Sequence, residues 1–180
     1  MSDPVESAYR LPDGIGRQHF ERDEGMKRHA SVLSVIILGC LMAVALSGVL
    51  GGGFNARLSA GNDRVALTYF GPTIIRNGMF FEAHAIVTAK QPIKKLVVAV
   101  DQSLIHDLTM NSMVPQPGDE TFKDGAFRFS YDKLDKGDSF NIKFDFQINP
   151  SLFAGTSGQI SVYDDKTLLA ALPVTIAVLP

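Results

Sequence analysis

Three side chains in the run HDLTMNSM, residues 106–113, have the chemistry of metal ligands: His106, Met110 and Met113. An imidazole with two thioethers is a soft donor set that suits Cu(I). The i, i+4, i+7 spacing gathers them on one side only if the segment is helical. On an extended strand, positions 106 and 110 share a face and 113 points away. Methionine is also a common filler of apolar cores. A second pair, Glu82 and His84 in FEAHAIV, has the spacing of an acid–base couple on one strand face. The same alternation describes an ordinary solvent-facing strand. Asp132, Asp135 and Asp138 in DKLDKGD lack the D-x-D-x-D-G spacing of a calcium loop, and Asp, Lys and Gly there are turn residues. No GxSxG, HExxH, SxxK or phosphate loop occurs. The residues therefore read as a protein that is not an enzyme and holds no cofactor. Copper at His106, Met110 and Met113 is the alternative.

The totals narrow the possibilities further. Among 180 residues there are 17 basic and 19 acidic, a net charge of −2. That balance supplies no basic face for nucleic acid. The single cysteine, Cys40, excludes a disulfide framework, a thiolate zinc site and a CxxC redox pair.

Cys40 lies in SVLSVIILGCLMAVALSGVLGGGF, residues 31–54, inside a charge-free stretch from Ala30 to Ala56. About 20 apolar residues span a bilayer core, so a transmembrane helix is expected over 30–53. A cleaved signal has a shorter apolar stretch, and the cleavage-like Ala43-Val44-Ala45 sits in mid-run, which favours an uncleaved anchor. Arg17, Arg22, Lys27 and Arg28 precede the run, and only Arg57 and Arg64 follow closely. The bias keeps the N-terminus in the cytoplasm. Residues 1–29 are then a cytoplasmic tail, its charges paired at i,i+4 as Arg17–Glu21, Asp23–Lys27 and Glu24–Arg28. Residues 54–64 are a linker, and residues 65–180 an exported domain, periplasmic in a bacterium. Gly39, Ala43, Ser47 and Gly51 recur every four residues, and Gly48 with Gly52 adds a GxxxG. Small residues at that spacing form a groove for a helix of another membrane protein or of a second copy.

The exported part alternates with a period of two. In SFNIKFDFQI (139–148), Phe140, Ile142, Phe144, Phe146 and Ile148 face one way and Asn141, Lys143, Asp145 and Gln147 the other. Further strands are expected at 65–70, 79–89, 93–101, 126–131, 158–164 and 168–179, with 103–115 extended in part. Asp164-Asp165-Lys166 reads as a hairpin turn, 71–78 as a turn-rich connection, and Pro173 as an edge or bulge residue. The fold class is all-β: an immunoglobulin-like antiparallel β-sandwich preceded by one N-terminal transmembrane helix.

The stretches LTYFGPTIIRNG (67–78), MNSMVPQP (110–117), GTSGQISVY (155–163) and the terminal VLP (178–180) carry a resemblance. Over residues 60–180 the chain resembles small bacterial membrane-anchored proteins of unknown function, with one N-terminal helix and a β-sandwich. Exported single-anchor copper chaperones share the outline but use paired cysteines, and haem chaperones use HxxxY. Here Thr88 follows His84 by four residues and Met110 follows His106. The resemblance implies an accessory role beside a larger inner-membrane protein and assigns no site residues. The expected function is a membrane-anchored periplasmic interaction module, docking through a sheet edge or end loops such as 71–78 and 115–125.

Overall fold

The computed structural model describes residue 13 and residues 24–51, 55–152 and 154–180, with backbone alone over 24–31. The three tail ion pairs and Gly52 lie outside the described residues and side chains. The chain forms two units, Met1–Ala43 and Val44–Pro180. Its elements are α1 (Glu24–Leu46), β1 (Asn55–Gly61), β2 (Val65–Pro72), β3 (Ile74–Arg76), β4 (Phe80–Ala89), β5 (Leu96–Asp101), α2 (Gln102–Ile105), β6 (Leu108–Val114), β7 (Asp119–Lys123), β8 (Ala126–Ser130), β9 (Ser139–Ile148), β10 (Thr156–Asp164) and β11 (Thr167–Leu179).

The alternation of β9 sets the core. Ile142, Phe144, Phe146 and Ile148 are buried, while Asn141 is exposed and Lys143, Asp145 and Gln147 are half-buried on the other face. β9 belongs to a five-stranded sheet of order β1-β2-β4-β9-β6, antiparallel throughout. The second sheet has six strands in the order β3-β11-β10-β5-β8-β7. Val98, Val100, Ile160, Val162, Val174 and Ile176 from that sheet join the β9 residues in one apolar cluster. The result is a mainly-β, two-sheet sandwich.

Several expectations need correction. Residues 55–61, read as linker, form β1 and pair along their length with β2. The connection at 71–78 contains β3, which runs parallel to β11, so the sandwich is not wholly antiparallel. The supposed end loop 115–125 contains β7, paired with β8 and exposed at all five positions. β7 is exposed throughout and has no alternation to read, β1 alternates only between exposed and half-buried, and β3 is three residues long, which is why they read as loops. Pro173 does lie at an edge: β10 borders it on one side, and β3 reaches only Ala177–Leu179 on the other.

The apolar run also differs from expectation. Its side chains from Val32 to Leu46 are exposed. Among the described residues, no helix is long and apolar enough to cross a membrane. α1 stops at Leu46 because the Ser47 hydroxyl donates back to the Val44 carbonyl at 2.6 Å and Gly48 turns left-handed at φ 71°. Glycine pays no Cβ penalty there and ends the helix. The series of small residues is therefore cut. Gly39 and Ala43 lie on α1, whereas Ser47, Gly48 and Gly51 lie in the turn that follows. Gly51 serves a different purpose: a Cβ there would meet the Ile75 and Arg76 backbone at 3.1 and 3.2 Å.

Polar ties lock the two sheets at the hairpin end. Asn62 donates from Nδ2 to the Leu169 carbonyl at 2.7 Å and accepts from the Arg64 amide at 2.8 Å. Arg64 bonds Asp164 at 3.1 Å, and the other Asp164 oxygen accepts from the Lys94 amide at 2.9 Å. In the core, the Tyr69 hydroxyl donates to the Pro72 carbonyl at 3.0 Å. The buried Tyr131 hydroxyl lies 3.6 Å from Met113 Sδ.

Two predictions follow from this packing. A Cβ at Gly158 would come within 2.9 Å of the Leu104 backbone nitrogen, so Gly158→Ala must push α2 off β10. It should cost about 1–3 kcal/mol in thermal or denaturant unfolding; an unchanged midpoint would contradict the contact. Burial, helped by the nearby Glu120 charge, pushes the Tyr131 phenol up to about 12, and burial alone raises Tyr69 further. A raised folded value means stability is intact below the ordinary 10.0 and falls as pH rises toward 12. Phenolate absorbance should show these two tyrosines ionising only as the protein unfolds in alkali.

Candidate functional face on the five-stranded sheet

The outward residues of β9 and β4 meet across the sheet because their registers place Glu82 opposite Asp145 and His84 opposite Lys143. β6 adds Ser112 opposite Asp145, and β2 adds Phe70 opposite His84. Glu82 and His84, two apart on one strand, do share a face: His84 Nε2 and Glu82 Oε1 are 2.7 Å apart. The other ring nitrogen, Nδ1, is 3.0 Å from the Asn141 side-chain oxygen. Lys143 Nζ reaches the second Glu82 oxygen at 2.6 Å and Asp145 at 3.5 Å. The Ser112 hydroxyl donates to Asp145. Six side chains from three strands thus form one connected polar chain.

Its electrostatics follow from those contacts. The Lys143 hydrogen bond, then the His84 hydrogen bond, hold the Glu82 carboxyl below the ordinary range. The Ser112 hydroxyl, then Lys143, do the same for Asp145. The Glu82 hydrogen bond, aided by Asp145, raises Lys143. A carboxylate held ionised, with both oxygens engaged, is poorly matched to proton transfer near neutral pH. Glu82 and His84 are a structural tie in this arrangement, not a poised acid–base couple.

Side chains suited to recognition frame the network. The Arg57 guanidinium lies 5.7 Å over the Phe70 ring, and Phe70 sits 6.1 Å from the His84 ring. Hydroxyl pairs cross the strands at Ser59–Thr68, 3.0 Å, and Thr88–Ser139, 2.8 Å. Phe80 and Val114 are exposed at its margins. An open hollow of about 490 Å³ beside Glu82 and Asp145 is lined by Phe80, Phe81 and Phe146.

The copper ligands are not brought together. His106 follows α2, is 67% exposed and lies 3.2 Å from Asp107. A register shift between Met110 and Ser112 sets Met110 opposite Phe146 and Met113 opposite Phe144. Both sulfurs therefore belong to the core side of β6. This reverses the expectation that Met113 points away from Met110, because the extra residue, Asn111, resets the alternation. Met113 is buried against Tyr131, and Met110 packs on the core. The aspartates of 132–138 form a turn in which Asp138 accepts from the Asp135 amide at 3.3 Å. Among the described residues, no group of three or more His, Cys, Asp or Glu is placed to hold a metal ion.

No protein-family model matches the chain, and no curated protein matches it. Among solved structures it is similar to cohesin domains, as a β-sandwich. CaCohA2 from Clostridium acetobutylicum shares 16% identity over 65% of this chain and 92% of its own, with a TM-score of 0.46. A non-cellulosomal cohesin from the hyperthermophilic archaeon Archaeoglobus fulgidus shares 10% over 71% and 93%, with a TM-score of 0.41.

The ionic chain is testable by titration. Removing the cation with Lys143→Met should move the Glu82 carboxyl back up toward its ordinary 4.5, read by carboxyl-carbon NMR. The stability contributed by Glu82 and Asp145 is present above ordinary carboxylate values and is lost as pH falls through their lowered ones. That of Lys143 is present below its ordinary 10.5 and lost as pH rises through its raised value. A Glu82 titration unmoved by Lys143→Met would show that the pair does not form in solution.

Proposed function

We propose that this protein is a single-span, membrane-anchored interaction module whose sandwich binds another protein through the outer face of the five-stranded sheet. The observation that carries the reading is the connected chain Asn141–His84–Glu82–Lys143–Asp145–Ser112, which holds polar groups in place on an open face. Isolated exposed ion pairs contribute little to stability. A preorganised array bordered by Arg57 and Phe70 has the mixture of anchors and polar contacts found in protein interfaces.

Support for the anchor comes from sequence and exposure. The charge-free portion of α1, residues 30–46, is ~26 Å long, near the short end for a ~30 Å hydrocarbon core. Its exposed Val, Ile and Leu side chains require lipid or a protein partner to leave water. The Lys/Arg bias favours a cytoplasmic N-terminus, an outward-facing sandwich and, in a bacterium, the inner membrane. The partner is then a larger membrane protein beside the anchor.

Two measurements test this. In a Cys40→Ser background, an impermeant maleimide should label Lys133→Cys in intact cells and Ser7→Cys only after lysis; the reverse pattern would invert the topology. A photocrosslinker at Ile86 should trap one discrete protein in native membranes, lost in Lys143→Glu, whereas one at Thr175 on β11 should not. Equal trapping from both positions would sink the proposed face.

A further inference from the structure

The membrane reading leaves one corner of the sandwich unexplained. Five large apolar residues are exposed around it: Val49 64%, Leu50 40%, Ile74 40%, Met79 38% and Phe80 67%. They belong to one unit and are tied together by short contacts. Arg76 Nε donates to the Leu50 carbonyl at 2.8 Å, and the Met79 amide donates to the Arg76 carbonyl at 3.3 Å. Ile75, between Ile74 and Arg76, points into the core and anchors the corner there. Gly51 holds φ 91°, and a Cβ there would press on the Ile75–Arg76 backbone at 3.1–3.2 Å. The corner is therefore fixed where the charge-free run of sequence enters the domain.

We propose that Val49, Leu50, Ile74, Arg76, Met79 and Phe80 lie in the headgroup–acyl boundary of the bilayer and stand the sandwich on the membrane in one orientation. This rests on the anchor reading above. In that reading the charge-free helical stretch, ~26 Å, is shorter than the ~30 Å hydrocarbon core, so Val49 and Leu50, which follow it in sequence, are drawn to the outer boundary. Ile74 and Arg76 come with them through the Leu50 bond. Aliphatic and aromatic side chains bury favourably at that depth, while arginine lays its stem along them and keeps its head among the headgroups.

The contact is apolar more than electrostatic. Asp101, Asp107 and Asp124 lie at the same end of the sandwich, lining an open hollow of about 710 Å³ with His106. They oppose anionic lipid, so the corner should engage zwitterionic lipid as well and persist at high salt.

The chain has no tryptophan, so an introduced indole is a unique reporter. The full-length protein is placed in phosphatidylcholine vesicles containing brominated acyl chains. Phe80→Trp should emit blue-shifted light and lose several-fold more intensity to lipid bromine than Leu168→Trp, an exposed site on the β10–β11 hairpin. The difference should survive high salt. A third variant, Leu38→Trp, reports the anchor itself. If Leu38→Trp is quenched and Phe80→Trp behaves like Leu168→Trp, the corner does not rest on lipid, although the anchor stands. If Leu38→Trp is not quenched either, the anchor reading falls and this inference with it.

Discussion

Four side chains on one face of β9 have to be kept from water, and the domain is arranged to cover them. Phe144 and Phe146 stack 5.6 Å apart, and Phe146 also meets Phe81 at 5.4 Å. Burying each ring stabilises the fold by roughly 1.5–3 kcal/mol. A single sheet leaves that face wet, so the second sheet supplies Val98, Val100, Ile160 and Val162 as its lid. Because β9 is paired on both sides, with β4 and β6, its opposite face is fixed by the same register. The positions of Lys143, Asp145 and Asn141 follow from the burial of Ile142, Phe144 and Phe146.

That coupling explains what the sequence reveals and what it hides. β9, β4 and the β10–β11 hairpin are legible because their apolar residues alternate against a single core. β7 is not, since Asp-Glu-Thr-Phe-Lys at an edge has no buried face to impose a period, while β1 only half-buries its inner residues and β3 has room for a single buried one, Ile75. The Glu82–His84 contact is legible because both residues lie on one strand. Lys143, Asp145 and Ser112 join them through strand pairings such as Glu82 opposite Asp145, distant in the chain, and no local pattern encodes that register. The outward set Asn141, Lys143 and Asp145 is itself visible in SFNIKFDFQI, and only its destination is not.

Two local features overrule simple periodic extrapolation. The extra residue in β6 turns both methionines toward the core, which removes the ligand set suggested by HDLTMNSM. A left-handed glycine ends α1 after Leu46, which breaks a four-residue series that runs unbroken on paper. In both cases one backbone irregularity reassigns several side chains at once, and periodicity carries no signal for it.

The ties between the sheets also join distant parts of the chain. Asn62 meets Leu169 across 107 positions, and Arg64 meets Asp164 across 100. During synthesis β1, β2 and β4 are complete long before β11 exists. The apolar inner face of the early strands must then wait, uncovered, for nearly the last residues of the domain. Closure of such distant contacts is slow, and strands awaiting partners are prone to pair with neighbouring chains. The architecture thus places a demand on the cell: the nascent domain has to be shielded until Leu169 has emerged.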